Sequence, residues 1–159
     1  MKITVIAVGK LKEHYFRDAV AEYAKRLGRY CRLEICEVAD EKTPDGASEA
    51  QEDAIKAKEA ERILGKIAPD AYVITLDIGG RKMDSVAFGR QIERLGISGR
   101  SHIAFIIGGS LGLHERVRQK ADASVSFSDM TFPHQLMRVI LLEQIYRGFR
   151  IVNGEPYHK

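Results

Sequence analysis

The sequence predicts an α/β protein in which a mainly parallel sheet is flanked by helices. Short β-rich runs alternate with helical stretches along the chain, which is the order expected of strands joined by helical crossovers. The runs VITLDI and HIAFIIGG are apolar on both faces, as is typical of interior strands that helices cover from both sides. We expect residues 1–159 to form one domain, because a chain of this length usually builds one hydrophobic core.

The first two strands are predicted in KITVIAVG and RLEICEV, with a helix between them in LKEHYFRDAVAEYAKRLGRY. Apolar residues recur there at helical spacing, at Leu11, Tyr15, Ala19, Tyr23 and Leu27. The next helix is predicted in SEAQEDAIKAKEAERILGKI, where Ser48 and Gln51 have the spacing of a capping box. Residues 39–51 are polar and carry Pro44 and Gly46, so we expect a mobile surface loop.

The remaining strands are predicted in AYVITLDI, HIAFIIGG and the weaker SVSFS, and two further helices are expected after the later strands. A helix predicted over residues 133–148 has apolar side chains in nearly every direction around its axis. Such a helix must be covered on all sides. The sheet can cover one face, and a second copy of the helix across a two-fold axis can cover the other. We therefore expect an obligate homodimer.

Composition narrows the function classes. The 25 Lys and Arg against 22 Asp and Glu leave a formal net charge of +3, so any nucleic-acid contact must come from local clustering of basic residues. The opening MKITVIAVGKLKEHYF does not resemble a signal peptide, and no run reaches the roughly 18 apolar residues that span a bilayer. We expect a cytoplasmic protein without membrane contact. Cys31 and Cys36 match no CxxC pattern and are expected to be reduced.

Three segments after predicted strands are candidates for a ligand site, because parallel α/β sheets bind ligands beyond the carboxyl ends of their strands. They are IGGRKM, SLGLHERV and DMTFPHQ. Gly108, Gly109 and Gly112 permit close backbone approach, and the helix after them could receive an anion at its start. Neither a P-loop nor a GxGxxG pattern is present. A purely structural role for these glycines stays open, although three such segments favour a pocket.

Other catalytic patterns are weak or missing. His134 begins a predicted helix, where a histidine is more often a cap or a hydrogen-bonded core residue than a catalyst. The five histidines are scattered without an HxxxH pair, so no metal site is expected. There is no GxSxG nucleophile elbow, and Ser110 has no obvious His–Asp pair.

Five motifs together resemble one known family. The motifs IIGGSLGLH, SFSDMTFPHQLMRVILLEQIYR and NGEPYHK, with ITVIAVGKLKE and VITLDIGGRKM, are similar to the ribosomal RNA large-subunit methyltransferase H family of the SPOUT superfamily. The resemblance covers essentially the whole chain. It implies a C-terminal trefoil knot, which is rare among folds, a homodimer, and S-adenosylmethionine as the methyl donor. The implied acceptor is N3 of a pseudouridine in a hairpin of the 23S ribosomal RNA, on the assembled ribosome.

The resemblance also implies which residues form the site. Those implied to hold the donor are Leu76, Gly108, Phe127, Ser128, Asp129, Met130, Thr131 and Phe132. Apolar walls and backbone groups suit its neutral adenine, and a donor without phosphates needs no P-loop. Arg138, Tyr157 and His158 are candidates for orienting the nucleotide, with Glu143 or His134 as proton acceptors or supporting residues.

Two other functions stay open. The protein could be a non-enzymatic, dimeric RNA- or ribosome-binding module whose glycine pocket holds no cofactor, or a nucleotide-dependent enzyme of flavodoxin-like architecture. Titration with S-adenosylmethionine separates the methyltransferase from the binding module, and the absorbance of the purified protein would expose a flavin.

Overall fold

The computed structural model describes residues 1–159 as one parallel sheet with helices on both faces. The strands are β1 (Lys2–Val8), β2 (Arg32–Val38), β3 (Tyr72–Lys82), β4 (His102–Ile107) and β5 (Ala123–Ser126). The helices are α1 (His14–Leu27), α2 (Glu49–Leu64), α3 (Ser85–Ile97), α4 (Glu115–Lys120) and α5 (His134–Val152). The strand order is β2-β1-β4-β3-β5, and every pairing is parallel. The predicted α/β class is confirmed.

The side chains of β1 show how the two layers form. Ile3, Val5 and Ala7 point into a cluster that includes residues of α1, α3 and α5, whereas Ile6 and Val8 point into a cluster that includes residues of α2 and α4. Successive residues of a strand face opposite sides of the sheet, so an apolar strand needs helices on both. β1, β4 and β3 all lie inside the sheet, as the sequence predicted for VITLDI in β3 and for HIAFIIGG in β4.

The start of α2 confirms the predicted capping box. The Ser48 hydroxyl accepts a hydrogen bond from the backbone N–H of Gln51 at 3.2 Å, and the Gln51 side chain accepts one from the backbone N–H of Ser48 at 2.8 Å. The two bonds satisfy N–H groups that have no partner within the helix.

The segment IGGRKM is not a loop, so this part of the sequence prediction is wrong. Residues 78–82 continue β3, and the pairing of β3 with β5 shifts between Leu76 and Arg81. Gly80 lies at this irregularity, where a Cβ atom would come within 2.7 Å of the Val125 backbone. Because glycine lacks that atom, the strands can approach each other here, and the strand continues through residues whose composition predicted a turn.

Helix α5 ends at Val152 rather than at residue 148, and its neighbours within the chain provide much of its cover. It packs between α1 and α3 on one face of the sheet. At the α3 contact, a Cβ atom on Gly148 would lie 3.0 Å from the Cα of Gly89. Leu136 and Ile140 are partly exposed and belong to neither buried cluster. The intrachain helices thus supply cover that the sequence pattern assigned to a second copy, and a narrower outward stripe remains.

Three expectations stay predictions: the C-terminal knot, the homodimer and the single-domain organisation. All five strands belong to one sheet. No helix has both the length and the apolar character needed to cross a membrane.

Candidate active site

A cleft of about 660 Å³ lies beyond the carboxyl ends of β3, β4 and β5. It is lined by residues 76–78, 107–113, 125–128 and 130–134, together with Arg118 and Met137. This is the edge at which a parallel α/β sheet is expected to bind a ligand, and the volume falls within the range of small-molecule sites, roughly 300 to 1,000 Å³.

The glycine loop between β4 and α4 forms one wall of the cleft. The backbone N–H of Gly112 donates to the carbonyl of Gly109 at 3.1 Å, and Gly112 has a φ of +85°. A Cβ atom on Gly108 would lie 3.0 Å from the carbonyl carbon of Gly112 and from the Leu113 side chain. The glycines therefore permit the tight turn of the loop and also line the cleft. The structural role that the sequence analysis left open thus applies to them.

The start of α4, which the sequence suggested could receive an anion, has one backbone N–H group already satisfied within the chain. The Nδ1 atom of His114 accepts a hydrogen bond from the backbone N–H of Arg116 at 3.1 Å. Because a histidine caps the helix from within the chain, a bound anion is not needed to satisfy that N–H group.

The structure brings seven of the eight predicted donor-binding residues to this cleft. They are Leu76, Gly108, Phe127, Ser128, Met130, Thr131 and Phe132. Residues 127–132 also contain a hydrogen bond within the segment, because Ser128 Oγ accepts from the backbone N–H of Met130 at 3.0 Å. Asp129 is the exception, because it does not line the cleft and its exposed carboxylate pairs with Lys82 Nζ at 2.5 Å.

His134 lines the cleft at the end that adjoins β1. A Cβ atom on Gly9 would lie 3.7 Å from His134 Nε2, so the imidazole stands beside the residue that follows β1. Burial lowers the pKa of His134, and the positive charge of Arg138 lowers it further. The imidazole is therefore neutral at pH 7 and can accept a proton.

Arg138 does not line the cleft and is only 1% exposed. Its Nη1 donates to Glu37 at 2.6 Å and its Nη2 donates to the carbonyl of Gly9 at 3.1 Å, while its Nε has no partner. These bonds tie α5 to β2 and to the end of β1, one turn away from His134. The geometry indicates a structural role, and the predicted role of Arg138 in orienting a nucleotide stays a prediction.

Glu143, Tyr157 and His158 come together with Arg147 in a second group, which we call the tail cluster. The Tyr157 hydroxyl donates to Glu143 Oε1 at 3.1 Å, and the Arg147 guanidinium lies 4.7 Å from the centre of the Tyr157 ring. Arg147 Nη1 lies 3.1 Å from His158 Nδ1, and Arg147 also pairs with Glu143 at 2.6 Å. Burial raises the pKa of Tyr157 to about 12, with a further contribution from Glu143, so the phenol stays protonated at neutral pH.

Within one chain, the tail cluster and the cleft are separate, because none of Glu143, Arg147, Tyr157 and His158 lines the cleft. His158 instead lines a smaller cavity of about 420 Å³, and Phe127 contributes to the walls of both cavities. The catalytic roles predicted for the tail residues therefore stay predictions.

The sequence interpretation missed an ion pair at the cleft. Arg118 Nε lies 2.5 Å from Asp77 Oδ2, and both residues line the cleft. Besides His134, they are the only ionisable residues in the lining. Asp77 directly follows Leu76 at a predicted strand end, so its position was a signal. Nothing local predicted that Arg118 would meet it. No group of three His, Cys, Asp or Glu side chains is arranged to hold a metal ion.

Comparisons with known proteins agree with this architecture. A probable methylase family protein from Haemophilus influenzae Rd KW20 has a similar fold, with a TM-score of 0.54 and 15% identity over 99% of this chain and 70% of that one. Residues 1–158 match the family model described as "Predicted SPOUT methyltransferase".

Relatives of the same length are similar over the entire chain. The ribosomal RNA large subunit methyltransferase H of Bifidobacterium adolescentis is 62% identical, and that of Clostridium beijerinckii is 59% identical, each over 100% of both chains. The chain therefore belongs to the SPOUT methyltransferase family and, within it, to the ribosomal RNA large-subunit methyltransferase H family.

Proposed function

We propose that this protein is an S-adenosylmethionine-dependent methyltransferase that methylates N3 of a pseudouridine in large-subunit ribosomal RNA. It acts as a homodimer on the assembled ribosome in the cytoplasm. The observation that carries the proposal is the convergence of seven predicted donor-binding residues on one cleft. The full-length relatives named ribosomal RNA large subunit methyltransferase H support RNA as the substrate.

The lining of the cleft fits the proposed donor. Leu76, Ile107 and Phe127 supply apolar surface for adenine, and the loop residues Gly108 and Ser128 belong to the same lining. The lining contains no lysine, which agrees with a ligand that has no phosphate groups. When bound, S-adenosylmethionine would supply a methyl group activated by a sulfonium centre.

Methyl transfer to N3 forms a carbon–nitrogen bond, breaks the carbon–sulfur bond of the donor and releases the N3 proton. The protein must align the two reactants and allow the proton to leave. His134 is the candidate acceptor within the cleft, because its lowered pKa leaves it neutral at pH 7. Glu143 remains a second candidate if the tail cluster joins the site.

An exposed basic and aromatic surface adjoins the His134 end of the cleft. It consists of Lys10, Lys12, Tyr15 and Arg17, all of them exposed. The backbone N–H of Lys12 donates to the side chain of Gln135 at 3.0 Å, which holds this surface next to the start of α5. Cationic groups with an accessible ring suit an RNA backbone and an unstacked base. We infer that the RNA approaches from this side.

A homodimer would account for the distance between the tail cluster and the cleft. The outward stripe of α5 carries Leu136 and Ile140 and continues to Arg147, which belongs to the tail cluster. If two copies pack along this stripe, the tail of one subunit can approach the cleft of the other. We propose that the site is composite and that Tyr157 and His158 of one subunit serve the partner's cleft.

The direct test has two parts. Calorimetric titration with S-adenosylmethionine measures donor binding, and single-turnover transfer of labelled methyl to ribosomes that lack the modification measures the reaction. Thr131→Trp should block both, because the exposed Thr131 lines the cleft and an indole would occupy it. Ser101→Trp is the matched control, since Ser101 is exposed at the opposite end of the sheet.

The outcomes separate the proposed function from its alternatives. Donor binding and methyl transfer by the wild type, both lost in Thr131→Trp and kept in Ser101→Trp, support the proposal. Ribosome binding without donor binding would favour the non-enzymatic module. Flavin absorbance in the purified protein would favour the flavodoxin-like enzyme.

A further inference from the structure

The ion pair between Asp77 and Arg118 is the one feature of the cleft that the proposed donor residues do not explain. Asp77 lies near the carboxyl end of the first segment of β3, and its side chain is 20% exposed. Arg118 is on α4, after the glycine loop, and its side chain is 41% exposed. The pair therefore faces solvent and the cleft together, which is the environment in which an ion pair contributes little to folding.

Both partners keep unused hydrogen-bonding capacity. Arg118 contacts Asp77 through Nε, and the other contact of its guanidinium is a loose approach of Nη1 to Glu115 at 3.9 Å. Asp77 Oδ1 accepts only a long bond of 3.4 Å from the backbone N–H of Gly79. A guanidinium with free Nη atoms binds a carboxylate in a two-bond fork, and a carboxylate oxygen accepts readily from an ammonium.

The charges of the lining identify the group that fits this place. Arg118 is the only permanently cationic residue that lines the cleft, and Asp77 is the only anionic one. An α-amino acid at neutral pH carries one carboxylate and one ammonium on adjacent positions. The paired charges of the cleft therefore match a zwitterionic amino acid, while the remainder of the lining is apolar or uncharged at neutral pH.

His134 lies at the other side of this region. It stands beside Gly9 after β1, whereas Asp77 lies in β3 just after Leu76, and β4 runs between those two strands. Two strand spacings amount to about 10 Å. A ligand can thus place its amino-acid end at Asp77 and Arg118 without displacing an acceptor that approaches from the His134 side.

We propose that Asp77 and Arg118 form the subsite for the amino-acid end of the methyl donor, with Arg118 binding its carboxylate and Asp77 binding its ammonium. The inference rests on the proposed function, because it concerns the same cleft and donor. It adds two residues that determine affinity and specificity, since nucleosides without a charged amino-acid end would gain nothing from the pair.

The test compares two ligands with three proteins by calorimetry. S-adenosylhomocysteine carries the carboxylate, and its decarboxylated analogue keeps the ammonium but lacks that group. Wild type should bind S-adenosylhomocysteine on the order of tenfold more tightly than the analogue, as expected for a charged hydrogen-bonded contact. Arg118→Gln should bind both ligands equally, because the variant lacks the guanidinium that would contact the carboxylate.

Arg116→Gln is the matched control, since Arg116 is exposed on the same helix and does not line the cleft. It should show the wild-type ratio. Asp77→Asn, titrated with an analogue that lacks the ammonium, tests the other half of the subsite in the same way. Thermal melting checks that each variant is folded. The ratio of the dissociation constants of two ligands for one protein does not depend on the fraction of that protein that is active.

Each result has one meaning. Loss of discrimination in Arg118→Gln, with the ratio kept in Arg116→Gln, supports the inference. If Arg118→Gln keeps the wild-type ratio of the two dissociation constants, including the case in which both ligands bind equally more weakly, the inference is overturned. If Arg118→Gln loses only ribosome affinity, the residue contacts RNA and the inference is also overturned. A wild-type protein that binds none of these ligands would instead contradict the proposed function.

Discussion

Gly80 shows how a single residue shapes the cleft. It lies where β3 shifts its pairing with β5, and β5 leads directly into residues 127–132, all of which except Asp129 line the cleft. The close approach of the two backbones leaves no room for a side chain at this position. The geometry of the site therefore depends on the lack of a Cβ atom at Gly80.

We predict that Gly80→Ala destabilises the fold by about 1–3 kcal/mol, as overpacking usually does. Its Cβ atom would come within 2.7 Å of the Val125 backbone, which cannot move without shifting β5. Urea unfolding measures the change, and donor titration should show weaker binding. Gly79→Ala is the matched control, because a Cβ atom there meets nothing within 4 Å and should leave stability nearly unchanged. Equal effects of the two substitutions would contradict the close approach.

His134 links one side chain to the pH dependence of stability. Its pKa is lowered in the folded protein, first by burial and then by the charge of Arg138. Between that lowered pKa and about 6.5, the ordinary value for histidine, the unfolded chain binds more protons than the folded one. Stability should therefore fall as pH drops below about 6.5. His134→Gln should remove this part of the slope in urea unfolding measured from pH 7.5 to 5.5, and an unchanged slope would rule out the burial of this imidazole.

At the level of structural elements, the C-terminal tail is held against α5 by polar and aromatic contacts. Tyr157 packs edge-on against Tyr146, with ring centres 4.9 Å apart, and Glu155 accepts a hydrogen bond from the Tyr30 hydroxyl at 2.9 Å. Arg150 Nη2 donates to the carbonyl of Pro156 at 2.9 Å. These contacts hold the tail against α5 and present Tyr157 and His158 next to Arg147.

Deletion of residues 156–159 should leave donor binding and dimerisation nearly intact. Single-turnover methyl transfer to ribosomes should fall by orders of magnitude, because the positioning of the reactants can supply many kcal/mol. Removal of Lys159 alone is the control, since it leaves the contacts of Tyr157 and His158 in place. A truncated protein with the wild-type transfer rate would show that RNA recognition lies elsewhere, for example on the exposed residues near Lys12.

On the scale of the whole molecule, the outward stripe of α5 is the surface on which the proposed dimer depends. Leu136 and Ile140 are one turn apart, partly exposed, and outside both buried clusters. Two copies packed along this stripe would remove both side chains from water and bring the two tails close to the interface. The homodimer and the composite site are therefore linked proposals.

Ile140→Asp should convert the dimer to a monomer or to aggregates in sedimentation experiments. A carboxylate without a partner in a dry interface costs several kcal/mol. Ile97→Asp is the control, because Ile97 is 81% exposed at the end of α3 and should leave the assembly unchanged. A Ile140→Asp protein that stays a folded dimer would place the interface on another surface.

The sequence by itself determined the features that depend on residues close together in the chain. The five strands, the capping box of α2 and the glycine loop follow from apolar periodicity and from the conformational preferences of Ser48, Gln51 and glycine. The parallel class followed too, because interior strands must be apolar on both faces. The family motifs predicted eight donor-binding residues, and seven of them line one cleft, although their role in binding stays a prediction.

The tertiary structure alone decided the contacts between residues far apart in the chain. Arg138 meets Glu37 across 101 positions, and Arg118 meets Asp77 across 41, and no local pattern encodes either pair. The continuation of β3 through Gly80 likewise depends on the approach of β5, which overrides the turn preference of the local sequence. Local preferences are worth about 1 kcal/mol or less per residue, so strand pairing and burial, which act on many residues together, determine the outcome.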